Sequence, residues 1–144
     1  MKKAGATTSN ARNTAILYVC VAMGGMLGSI ARYLASLLIP AAAGFPWATL
    51  FVNVVGSFII GFYSTLTGPD GRLFAGTRQR QFVMTGFCGG YTTFSAFSLE
   101  TFRLLHGGMI KTAFSYIAVS VVSWLLAVWL GHLLASRLNR LKGS

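Results

Sequence analysis

Between Thr85 and Ser98 the chain reads TGFCGGYTTFSAFS, with three glycines and five Ser/Thr hydroxyls in fourteen positions of an otherwise apolar stretch. Glycine at this density makes a poor continuous helix. In hydrocarbon the freed backbone carbonyls must find partners, so an interrupted helix persists only beside protein, water or an ion. Interrupted helices near mid-membrane recur as ion sites built from exposed carbonyls and half-helix ends. Close helix packing through small residues is the other reading, since Gly86 and Gly90 form a GxxxG pair. Composition leaves both open.

Other side chains in the apolar runs carry polar chemistry. Asn53 can donate amide hydrogens to an anion or bond a neighbouring helix. Phe94 and Phe97 are three apart and share a face of a regular helix. Their electropositive ring edges can solvate a small anion, or the two rings can simply pack. Arg32 sits about 10 Å, at 1.5 Å per residue, from the end of its run. A cation there either snorkels or lines a wet, anion-attracting vestibule. Thr112, Tyr116 and Ser120 recur every fourth residue as a hydroxyl stripe, although such hydroxyls often bond back to their own helix. His106 and His132 fall at run ends and lack the neighbours a metal or catalytic site needs.

Four apolar runs must position these residues. Of 144 residues, 54% are hydrophobic and 10% charged, against roughly 25% charged in a soluble domain. The expected architecture is all-α, with membrane spans at about residues 16–39, 47–66, 82–105 and 112–134, the third broken near its middle. Strands are excluded because the runs are too long and too evenly apolar for alternating barrel strands. The first run imitates a signal peptide around Ser29-Ile30-Ala31, but it is too long for a signal core and spans instead. Residues 1–14 are expected as a disordered basic tail, 15–135 as one transmembrane domain and 136–144 as a basic C-terminal tail. Trp47 is placed as an interfacial anchor. Cys20 and Cys88 lie in apolar runs and read as packing residues rather than a disulfide.

Charge is lopsided: twelve Lys+Arg face two acids, Asp70 and Glu100, for a formal +10. Two carboxylates are too few for metal clusters and for most enzymes. The bases bracket uncharged runs instead of forming the solvated face of a nucleic-acid domain. With both termini and the middle loop on one side, that side holds Lys2, Lys3, Arg12, Arg72, Arg78, Arg80, Arg137, Arg140 and Lys142, and the other holds Arg32, Arg103 and Lys111. Nine against three places both termini in the cytoplasm. The scarcity of acids is also expected to leave any anion route through the apolar runs free of fixed negative charge.

Several stretches taken together resemble the Fluc/CrcB family of fluoride channels. They are Gly24-Gly25-Met26-Leu27-Gly28 with Arg32, Thr49-Leu50-Phe51-Val52-Asn53 with Gly56-Ser57-Phe58, Thr85 to Gly90, Thr92 to Ser98, and Glu100. The resemblance runs in order from about Gly24 to Gly131. It implies four-helix subunits paired antiparallel, with two fluoride pathways. It also implies a structural sodium ion at the dimer centre, held by main-chain carbonyls that correspond to Gly89 and Thr92. By motif, the pathway phenylalanines are Phe94 and Phe97, the pore amide is Asn53, and the polar track holds Tyr116 and Ser120, with Thr49 beside it. Arg32 matches a vestibule arginine. A further serine of the track, eight residues beyond the tyrosine, falls here on Trp124, with Ser123 one position off.

The implied activity is passive, fluoride-selective efflux across the bacterial inner membrane, giving resistance to the toxic ion. No nucleotide motif and no pair of membrane-embedded carboxylates points to coupling. Members that insert both ways have nearly balanced Lys/Arg, and some members pair with oppositely oriented relatives, so the nine-to-three count opens a heterodimer beside the antiparallel homodimer. The lipid bilayer and fluoride are the expected partners, and nucleic acid is not. Two rival readings are a small exporter of cationic drugs, which needs a glutamate where the first run has Arg32, and a non-conducting membrane assembly subunit.

Overall fold

A computed structural model describes residues 3–40, 44–69 and 71–140. Asp70, Lys2 and Lys142 lie outside them. No strand element occurs among the described residues. Helix α1 spans Lys3–Leu38 and α2 spans Trp47–Leu66. Helix α3 covers residues 77–91: a first turn at Thr77–Arg80, a wide π-helical stretch at Gln81–Cys88 and a last turn at Gly89–Tyr91. Helix α4 is Phe94–His106, and α5 is Ile110–Arg140.

Three helices are each long and apolar enough to cross a membrane: Ala11–Leu38 within α1, Trp47–Leu66 and Ile110–Arg140. The chain is therefore built as a multi-pass membrane protein. The apolar run expected at 82–105 is divided between α3 and α4, neither of which has that length alone. Helix α2 starts directly after Pro46, where a proline costs no helical hydrogen bond, and half-exposed Trp47 occupies its first turn. Helices α1 and α5 run beyond their apolar cores into the polar ends. Residues 3–14 are helical where a disordered tail was expected, because extending an existing helix carries no nucleation cost. The two cysteines are unpaired, and Cys88 is buried.

Helix α5 packs along α2, and α1 packs along α3. The α1–α3 seam brings backbone against backbone: a Cβ on Gly28 would run into the Phe87 carbonyl, and one on Gly90 into the Gly25 carbonyl. The small-residue packing reading therefore holds for the α1 side of Gly86-Gly90. Inside the subunit, Leu50, Phe97, Leu104, Ala113 and Tyr116 form the core between α2, α4 and α5. At one end Arg78 bonds Asn13, and the Arg72 amide bonds the Asn139 side chain, which gathers the start of α1, the 67–76 loop and the end of α5. Gly44 and Met109 approach each other at the opposite end.

Candidate functional site

Between α3 and α4 the backbone leaves helical geometry for two residues. Thr92 and Thr93 are extended, with φ/ψ of −82/158 and −153/117 degrees. Three side chains hold this segment. Asn53 of α2, buried, accepts from the Thr93 amide at 2.7 Å and donates through Nδ2 to the Thr93 carbonyl at 3.0 Å. Thr93 caps α4, its hydroxyl accepting from the Ala96 amide at 3.1 Å. Arg32 of α1 donates through Nε to the Gly90 carbonyl at 3.0 Å.

These bonds divert two amide donors from the carbonyls they would meet in a continuous helix. A regular helix pairs Gly89 O with Thr93 N–H, and Thr92 O with Ala96 N–H. Here Thr93 N–H goes to Asn53, and Ala96 N–H goes to the Thr93 hydroxyl. Gly89 is exposed, and open space surrounds the position a Cβ would take. Two carbonyls with diverted donors, beside open space, fit a hard cation bound through main-chain oxygen. They are less than the full oxygen shell such a cation takes.

A second cluster lies on the Arg32 side. Thr49 Oγ1 donates to Glu100 Oε1 at 2.7 Å, and buried Tyr116 donates to Glu100 Oε2 at 2.8 Å. A cavity of about 340 Å³ there is lined by Arg32, Thr49, Thr93 and Glu100, with Ser29 and Ser36. A second cavity, of about 220 Å³, is lined by Asn53, Ser57, Thr92, Thr93, Phe94 and Trp124. Thr93 borders both. Phe97 lines neither cavity and is buried in a ladder of rings, 5.6 Å from Phe94, 5.2 Å from Tyr116 and 5.0 Å from Trp124 by centroids.

The structure thus brings Thr49 and Arg32 to one cavity and Asn53 and Phe94 to the other, while Tyr116 reaches the first only through its bond to Glu100. Neither of these two cavities is lined by Ser120, which is fully buried. Asn53 makes the neighbour-helix bonds weighed for it, and its second amide hydrogen is left for a ligand. Against the expectation of a route without negative charge, the Glu100 carboxyl group lines the first cavity and accepts from two of the hydroxyls expected along the pathway. The sequence signal for Glu100 is its isolation, since an acid inside an apolar run marks function by default. Thr93 has one too, since Thr before a helical run is a cap signal.

A family model described as CrcB-like protein, Camphor Resistance (CrcB), matches residues 19–132. The chain is 64% identical over 131 residues to a Bradyrhizobium diazoefficiens protein named fluoride-specific ion channel FluC 1, covering 91% of this chain and 92% of that one. A Rhodopseudomonas palustris protein of the same name is 62% identical over 135 residues, 92% and 96% of the two chains. An Opitutus terrae protein named fluoride-specific ion channel FluC is 55% identical over 130 residues, 89% and 98%. These relatives are named as ion channels, not enzymes.

Proposed function

The chain belongs to the CrcB-like family, and on that premise we propose that it is a fluoride-selective channel giving passive efflux of cytoplasmic fluoride, and so resistance to it, in a bacterial inner membrane. The observation that carries the reading is the pair of cavities meeting at Thr93, one bordered by Arg32 and the other by Asn53 and Phe94. Arg32 draws the anion toward the first. Asn53, its geometry fixed by the Thr93 backbone, offers its remaining amide hydrogen, and Phe94 and Phe97 offer ring edges. Thr49 and Tyr116 spend their protons on Glu100, so each hydroxyl must turn from that group to serve an anion. Helices α3 and α4 together make the fourth crossing, with Thr92 and Thr93 at mid-membrane.

The Gly89 and Thr92 carbonyls are the proposed holders of a structural sodium ion, which would supply a fixed positive charge. Two carbonyls per subunit make half a site, and a second copy arranged antiparallel would bring two more to the open side of Gly89. An antiparallel homodimer is the preferred assembly, because one chain carries Asn53, Phe94, Phe97, Tyr116 and Ser120 together. A heterodimer with an oppositely oriented relative is favoured by one observation: the N-terminal segment, middle loop and C-terminal helix end, with most of the bases, gather at one end. The test is growth of bacteria that lack fluoride export. The chain alone should restore growth in fluoride, and Asn53→Ala should abolish the rescue. Failure of the folded native chain to rescue would refute the reading for the homodimer.

A further inference from the structure

Among the described residues, three buried side-chain polar atoms have no hydrogen-bond partner: Tyr63 Oη, Ser120 Oγ and Trp124 Nε1. Two of them, Ser120 and Trp124, follow Tyr116 at four-residue steps and extend its stripe along α5. Trp124 also lines the cavity bordered by Asn53, Ser57, Thr92 and Phe94. An indole N–H can only donate. Left buried without an acceptor it destabilises the fold, a cost that a cation cannot relieve and an anion can. Edge-on contact with Phe97, 5.0 Å between centroids at 73°, fixes the indole plane.

We infer that Trp124 is a specificity-determining residue of the pathway, its Nε1–H donating to a small hard anion held in this cavity opposite the Asn53 amide. The inference rests on the fluoride-channel reading and adds to it a donor where the resemblance leads one to expect a serine. A donor fixed on a rigid ring suits an ion small enough to meet it and the Asn53 amide at once. Chloride would fit it poorly.

The test uses the full chain with 15N-labelled tryptophan. Its three indoles, Trp47, Trp124 and Trp129, give separate Nε1–H signals, assigned with Trp124→Phe. Sodium fluoride should move the Trp124 signal downfield and saturate, while equal sodium chloride leaves it in place and half-exposed Trp47 and Trp129 stay unmoved with either salt. In liposomes, Trp124→Phe should lower fluoride flux at least about tenfold, the effect of losing one hydrogen bond to a charged group, and Trp124→His, which restores a ring N–H, should recover part of it. An unmoved Trp124 signal in a chain that conducts fluoride overturns the inference. So does a Trp124→Phe variant that conducts like the native chain. A moving signal in a chain that does not conduct would instead overturn the channel reading and leave the anion site standing. Should Trp124→Phe fail to fold, the titration of the native chain, assigned with Trp124→His, decides.

Discussion

Replacing Asn53 separates the structural from the conducting part of the site. In Asn53→Ala two hydrogen bonds to Thr93 disappear, each with a net worth of about 0.5–1.5 kcal/mol. The Thr93 carbonyl precedes α4 as its cap position and still accepts the first helical bond. The Thr93 amide, in contrast, loses its acceptor, and an orphaned donor adds about 1–3 kcal/mol. The sum is about 4 kcal/mol, or a fall in melting temperature of about 8–16 °C at about 2–4 °C per kcal/mol for a chain near this length. Asn53→Asp, carried as the neutral acid at this buried site, keeps an acceptor for the Thr93 amide and an O–H for the Thr93 carbonyl, so it should cost about 1 kcal/mol or less. It removes the second amide hydrogen offered to fluoride. Thermal unfolding in detergent and fluoride release from liposomes should therefore split: Ala loses stability and flux, whereas Asp loses mainly flux. Equal melting temperatures for the two variants would refute the assignment of Asn53 as the clamp on Thr93, and so would a native melting temperature for Ala.

Gly28→Ala should lower the yield of folded protein on size exclusion, since its Cβ meets the Phe87 carbonyl and overpacking costs about 1–3 kcal/mol. Gly89→Ala, with open space around it, should leave the subunit folded and weaken association of two copies, read as a shift from dimer to monomer. Arg32→Lys keeps the charge but loses the Nε donor to Gly90, so the sodium concentration needed for half-maximal fluoride flux should rise several-fold. Glu100→Gln replaces a two-oxygen acceptor with one oxygen and one donor. It should release either Thr49 or Tyr116 and change fluoride flux in liposomes while the far-ultraviolet helix signal is unchanged.

The helical layout was legible because membrane spans are written in local composition. The bounds of α2 coincide with the run from Trp47 to Leu66, punctuated by Pro46 and by the polar loop after Thr67. The weakness of the helix around Gly89-Gly90 and Thr92-Thr93 was legible for the same reason: glycine and β-branched hydroxyl residues disfavour helix locally. What holds that segment was not, because its partners are remote. Asn53 is 40 residues from Thr93, and Arg32 is 58 from Gly90. Glu100 reaches Thr49 across 51 residues, a pairing that no spacing rule announces. The π-helical stretch at Gln81–Cys88 was equally hidden. Gly86 there is pressed against the α1 backbone beside Val21 and Gly24, and such tertiary contact is invisible to periodicity.

The central claim is selective, passive fluoride conduction, and ion release from liposomes tests it most directly. Purified native chain in sodium-containing vesicles loaded with fluoride or chloride, with potassium permeability added to balance charge, should release fluoride rapidly and retain chloride, with no proton gradient required. Comparable release of both anions, release that needs a proton gradient, or no fluoride release from folded protein would contradict the account.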